Sequence, residues 1–269
     1  MRLQSFISES KEGRTKVVNM DEAAQIIKKN CRKAWRRFTE DKQGLFRGHV
    51  SIRSDFGYVE PSKFNRKSAN TDNHYTLWID NSKQWSKFPK RSQSLICSSS
   101  LDGAYGTMDE RYLVLPYDNS SIGLCPASDF WDSFKGYYTT IADVNYELSE
   151  LYNRLIGEKK YIAKDWNTLR DSVMRIDEMW ANMNSDARIE FFNKTSNQLL
   201  TYMVDHDKSC SEMLNEILKP YKFKLIVAGG ALPKNDDREC WTDGNSILVG
   251  YDIYTSVVKT KLLDEMINE

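Results

Sequence analysis

The sequence predicts an α+β protein: a β-rich core preceded by an N-terminal helix and interrupted by a helical insertion. Three observations carry this. Apolar residues recur at helical spacing near the start of the chain. Short β-branched and aromatic runs separated by turn residues fill 44–134 and return over 220–255. Between them, over 140–219, the helical period takes hold again. Strands on both sides of a helical block fit a single domain over 1–269 with an insertion, rather than two tandem domains. A chain of 269 residues is long enough to bury a substantial core.

The N-terminal segment, 1–43, contains "MDEAAQIIKKNCRKAWRRF". Here Ile27, Cys31, Ala34, Trp35 and Phe38 share one helical face, with acids early and basic residues late, as the helix dipole favours. This predicts one amphipathic helix from Met20 to Phe38. The runs "HYTLWI", "SLICSS", "RYLVLP" and "SIGLCP" then read as strands of four to six residues. In the helical block, Trp166, Leu169, Val173, Ile176, Trp180 and Met183 repeat at three- and four-residue steps. Ile189, Phe192, Ser196, Leu199 and Met203 do the same. Three or four helices are expected, with Asp165 and either Ser185 or Asp186 as N-caps and Pro220 closing the run. Past Pro220, "FKLIVAGG", "RECWT" and "SILVGYDIY" read as strands, and a final helix spans about Ser256 to Ile267. Asp243-Gly244 predicts a hairpin between the last two strands.

Composition narrows the function classes. Lysine plus arginine and aspartate plus glutamate both total 38, so no global charge points to a polyanion or a membrane surface. The cysteines, Cys31, Cys97, Cys125, Cys210 and Cys240, are odd in number and never form C-x-x-C, which indicates neither a zinc site nor a disulfide framework. No apolar run approaches the roughly 18 residues of a membrane span. The expectation is a cytoplasmic protein without a membrane partner. His49, His74 and His206 show no ligand spacing, and the phosphate-loop, dinucleotide, zincin and nucleophile-elbow motifs are absent, so no metal site is predicted. In "PASDFWDSF", Asp129 and Asp132 suit either helix capping or a cation.

Three places carry chemistry. In "GLFRGHVSI", Arg47 sits among apolar strand residues, either reaching solvent from an edge strand or presenting a planar fork to an anion. In "KRSQSLICSSSLDG" a strand ends in Ser98, Ser99 and Ser100, where alternation puts Ser98 and Ser100 on one face; turn chemistry or a ligand lip both fit. In "NDDRECWT", Asp237 and Glu239 alternate onto one face as a strand opens. Such a pair either stays solvated or raises one pKa and divides labour in a site.

In this order, Arg47 in an F-R-G strand, the Ser98-Ser99-Ser100 run and Asp237-x-Glu239 resemble the arginine, S-T-S and [E/Q]-x-E elements of the mono-ADP-ribosyltransferase family. "LDGAYG" after the serines is also similar to that family. The resemblance covers about half the chain, Leu45 to Phe134 and Lys222 to Tyr254. Ser99 stands where the family has threonine, and Asp237 where it has glutamate or glutamine. The gap from Ser100 to Glu239 is longer than the family's, which makes 140–219 an insertion. The resemblance implies an ADP-ribosyltransferase-like β-sandwich core that uses NAD as substrate to modify a host protein or nucleic acid. By it, Arg47, Ser98 and Glu239 are catalytic, and Arg47, Ser98, Ser100 and Tyr105 bind NAD. Asp237 faces the acceptor, and Tyr105, Tyr75 or Trp78 stacks on the nicotinamide. The general texture resembles proteins of large tailed phages. A phage structural or host-interaction protein without catalytic activity is the alternative.

Overall fold

The helices and strands come from a computed structural model that describes residues 15–49, 54–67, 73–104, 110–134, 147–156, 163–193, 197–233, 236–251 and 256–268. The strands are β1 (Lys16–Val17), β2 (Leu45–His49), β3 (Phe56–Val59), β4 (Leu95–Ser98), β5 (Glu110–Pro116), β6 (Ser121–Leu124), β7 (Lys224–Val227), β8 (Glu239–Thr242) and β9 (Ser246–Gly250). The helices are α1 (Met20–Asn30), α2 (Arg32–Asp41), α3 (Asn73–Asn81), α4 (Glu147–Ile156), α5 (Trp166–Asn182), α6 (Ser185–Asn193), α7 (Gln198–Asp205), α8 (Cys210–Ile217) and α9 (Ser256–Asn268). The α+β class is thus observed. The chain divides into two compact units: Met1–Arg66, Lys87–Ser133 and Lys222–Glu269 make the first, Lys67–Ser86 and Phe134–Tyr221 the second.

In the first unit the strands form one antiparallel sheet in the order β1-β3-β9-β5-β2-β4-β8-β6-β7. This hydrogen-bonded ladder is continuous in order but thins abruptly in its middle. β2 and β5 share five register pairs and β4 and β8 share four, whereas β2 and β4 meet only at Phe46↔Ser98. The link from Pro116 to Ser121 requires the halves to turn toward each other. At about 3.4 Å per residue it spans at most about 17 Å, while a flat sheet would set β5 and β6 four strands, about 19 Å, apart. Leu45, Val59, Val114 and Leu248 of one half accordingly share a buried cluster with Leu95, Cys97, Ile122 and Cys240 of the other. On the outer side of the larger half, Ile27, Trp35, Phe38 and Leu263 of the helices pack on Phe46, Phe56, Leu113 and Val249.

Two local expectations give way to tertiary contacts here. The helix predicted across Met20 to Phe38 breaks at Cys31, which has φ −122° and ψ 20°. The β5–β6 loop enters the break: Asp118 donates its N–H to the Asn30 carbonyl at 2.5 Å, and its Oδ1 accepts from the Lys33 N–H at 2.9 Å. Those groups replace hydrogen bonds that an unbroken helix would have made. The hairpin predicted at Asp243-Gly244 does not form either. β8 pairs with β4 and β6, and β9 with β3 and β5, so the turn passes the chain from one half-sheet to the other. A Cβ at Gly244 would lie 2.0 Å from the Ser120 hydroxyl, so a glycine is needed at that crossing.

The second unit is helical. "HYTLWI", expected as a strand, is the body of α3: His74, Tyr75, Trp78 and Ile79 are buried at the one-, three- and four-residue steps of a helical face. That periodicity outweighs the β-preference of its aromatic residues. Five helices among the described residues occupy 147–217, one more than the higher expectation. Asp165 caps α5, its carboxylate accepting from the Thr168 N–H at 2.9 Å. At α6 the cap is Asn184, which accepts from the Ala187 N–H at 2.8 Å, one residue before the expected cap. No helix among the described residues is long and apolar enough to cross a membrane.

Candidate functional site

Arg47, Ser98 and Glu239 lie at or beside the thin seam between β2 and β4. Register sets Phe46, Ser98 and Glu239 side by side across β2, β4 and β8. Direct partners share a face and neighbours along a strand alternate. Ser98 and Glu239 therefore face the same way, and Asp237, two residues before Glu239, faces with them. Arg47 is one step from Phe46 and so projects from the opposite face, the side of Leu45 and Cys97. Its Nη1 donates to the Ile96 carbonyl at 2.6 Å, supplying a hydrogen bond to β4 where the backbone ladder stops. The structure thus joins Ser98, Asp237 and Glu239 in one cluster and sets Arg47 on the adjoining strand's other face. Arg66, which donates to the Ser94 carbonyl at 2.6 Å, brings a second guanidinium near this region. Burial pushes the Cys97 thiol up to about 12, against the lowering by Arg47 and Arg66.

Each serine of the run has its own task. Ser98 Oγ donates to Asp237 Oδ1 at 2.6 Å and accepts from the Ser100 N–H at 2.9 Å. Ser99 holds the approach to β8: its hydroxyl donates to the Asp236 carbonyl at 2.8 Å and accepts from the Arg238 N–H at 2.9 Å. Ser100 Oγ accepts from the Gly103 N–H at 2.9 Å, closing the turn over Asp102–Ala104. Turn chemistry and site geometry coincide in this run. Gly103 is part of it, because a Cβ there would fall 1.8 Å from Asp237 Oδ1 and 2.3 Å from Ser98 Oγ.

Glu239 is held by a residue the sequence did not single out. Arg91 Nη2 lies 2.5 Å from Glu239 Oε1, both side chains little more than a tenth exposed, and the Phe130 N–H donates to Glu239 Oε2 at 3.1 Å. The Arg91 guanidinium lies 3.8 Å from the centre of the Phe130 ring, a cation–π contact. Phe88 stacks on Trp241 at 5.9 Å behind it. Burial raises the Glu239 pKa, and Asp129 adds to the rise, while Arg91 and the Phe130 N–H lower it. Burial is the largest of these causes, so the acid holds a proton more readily than an ordinary glutamate. Only position in the sequence hinted at Arg91, which opens the turn leading into β4. Its partner 148 residues later follows from strand pairing that no local spacing encodes.

The remaining expectations separate. Tyr105 lies outside the described residues. Tyr75, fully buried in α3, has no face to offer a ligand, and Trp78 belongs to the same helix of the second unit. Asp129 acts as a cap, its Oδ1 accepting from the Trp131 N–H at 2.7 Å and the Asp132 N–H at 3.3 Å. Among the described residues no group of three or more His, Cys, Asp and Glu is placed to hold a metal ion. No protein-family model, curated protein or solved structure matches the chain.

Proposed function

We propose that the chain is an NAD-dependent mono-ADP-ribosyltransferase-like protein that modifies a protein or nucleic acid of a host cell, with its reacting centre at the β4–β8 side of the seam. The observation that carries this is the register pair Ser98↔Glu239, with Asp237 hydrogen-bonded to Ser98 and the Arg47 strand adjoining. In this reading Glu239 accepts from a ribose 2′-hydroxyl and stabilises positive charge as the bond from the anomeric carbon to nicotinamide breaks. Nicotinamide leaves with that bond's electron pair and becomes neutral. The acceptor's nucleophile then bonds to the anomeric carbon and passes its proton to Asp237. Ser98 positions Asp237. Arg47, on the adjoining strand, offers a planar guanidinium of the kind that suits a pyrophosphate.

The test is incubation with NAD labelled in its adenylate part and host lysate. Wild type transfers label and releases nicotinamide, and Glu239→Gln loses both by at least a hundredfold. Folded wild-type protein that does neither overturns the reading. One observation favours a second: Arg91 and the Phe130 N–H already contact the two Glu239 oxygens, the arrangement of a structural ion pair in a binding protein without catalysis. That reading predicts that Glu239→Gln changes stability and leaves partner capture intact.

A further inference from the structure

The second unit carries an open cleft of about 470 Å³ lined by Trp78, Ser82, Lys83, Gln84, Trp166 and Asn215, within the size range of small-molecule sites. Three separate pieces of chain build it. Trp78 comes from α3, Lys83 and Gln84 from the turn that follows, Trp166 from the first position of α5 and Asn215 from α8. The two indoles form an angled aromatic wall, centroids 5.5 Å apart and planes at 60°. Trp78 is almost wholly buried and fixed by donating its Nε1–H to Asn215 Oδ1 at 3.1 Å, whereas Trp166 is half-buried. The Gln84 amide nitrogen donates to the Asn215 carbonyl at 2.9 Å. Both amides are thereby oriented by the protein rather than by solvent.

The chemistry of this lining selects a ligand class. The half-buried Trp166 indole suits a flat ring, fixed amides suit the hydrogen-bonding edge of a base, and Lys83 is the one charged side chain among the six. Its charge calls for an anion beside the ring. We propose that the Trp78–Trp166 cleft binds a nucleotide, its base stacked on Trp166 and its phosphate against Lys83. Free mononucleotide and a base within a single strand share this chemistry. The proposal does not rest on ADP-ribosyl transfer, because every residue it uses belongs to the second unit.

Binding is read by quenching of tryptophan fluorescence and by calorimetry, using AMP, UMP, adenosine, ribose 5-phosphate and a single-stranded DNA 12-mer. Stacking a base on an aromatic side chain makes Trp166→Ala weaken AMP binding about tenfold or more. Lys83→Gln weakens AMP and leaves adenosine unchanged, and ribose 5-phosphate binds far more weakly than AMP. Tighter binding of the 12-mer than of mononucleotides identifies a nucleic-acid strand as the source; the reverse identifies free nucleotide. No saturable binding of either up to millimolar concentration overturns the proposal. So does ribose 5-phosphate binding as well as AMP, or unchanged affinity in Trp166→Ala. Lys83 is exposed, so its variant keeps the test decisive if Trp166→Ala fails to fold. NAD labelling by Glu239→Gln is scored separately and neither rescues nor sinks the result.

Discussion

At the scale of single residues, Arg91 and Glu239 set how the seam responds to pH. The Glu239 pKa lies above its ordinary 4.5, chiefly through burial. Relative to the unfolded chain, folding therefore favours proton binding at Glu239. The associated stability is complete below about 4.5 and declines as pH rises through the raised folded value. Arg91→Met removes the counter-charge and extends that loss to higher pH. The variant should lose about 3 kcal/mol at pH 7 and much less near pH 4, as urea midpoints at the two pH values will show. Gly103→Ala acts a few residues away. Its Cβ would displace Asp237 and Ser98 together, costing about 1–3 kcal/mol in thermal unfolding and reducing any label transfer in parallel. Arg91 stands in the sequence as an ordinary charge, and only its burial against Glu239 makes it consequential. The serine run was legible as a strand end and as a candidate site, and it is a strand end whose first hydroxyl holds a carboxylate.

At the scale of elements, most strands lie where alternation and turn residues place them, but their partners do not. β6 shows the limit. Gly123 reads as a weak position in a strand, yet a Cβ there would come within 2.2 Å of the Trp241 ring on the neighbouring β8. Gly123→Ala should therefore cost about 1–3 kcal/mol by overpacking, against near-neutral behaviour for an exposed strand glycine; chemical denaturation distinguishes the two. In the second unit, α8 opens with a reciprocal capping box in which Ser209 and Glu212 each accept from the other's N–H. Ser209→Ala should remove about 1 kcal/mol of stability. That box is written locally as S-x-x-E and is readable without a structure. The break at Cys31 is not, because the groups that open it come from Asp118, 87 positions later.

At the scale of the whole molecule, α3 and the turn that follows it, residues 73–86, are bound to the helical block. Trp85 donates its indole N–H to the Leu218 carbonyl at 2.7 Å, and His74 Nε2 accepts from the Ala163 N–H at 2.8 Å. Deleting 135–220 as a simple insertion should therefore expose Tyr75, Trp78 and Trp85 and yield a protein that aggregates or binds an apolar dye. Removing 67–86 as well should lessen both effects, and light scattering with dye fluorescence compares the two deletions. The sequence by itself determined the mixture of helix and sheet, the apolar faces of α1, α2 and α5 and the candidate residues of the seam. Those features depend on period, composition and short spacing, which are local. Tertiary structure alone decided that the sheet narrows to one pair between β2 and β4 and that Arg47 faces away from Ser98. It also decided that Arg91 closes on Glu239 and that "HYTLWI" is helical. Each of these depends on which distant segment lies alongside, and hydrogen-bond register and burial are properties of that pairing, not of either strand alone.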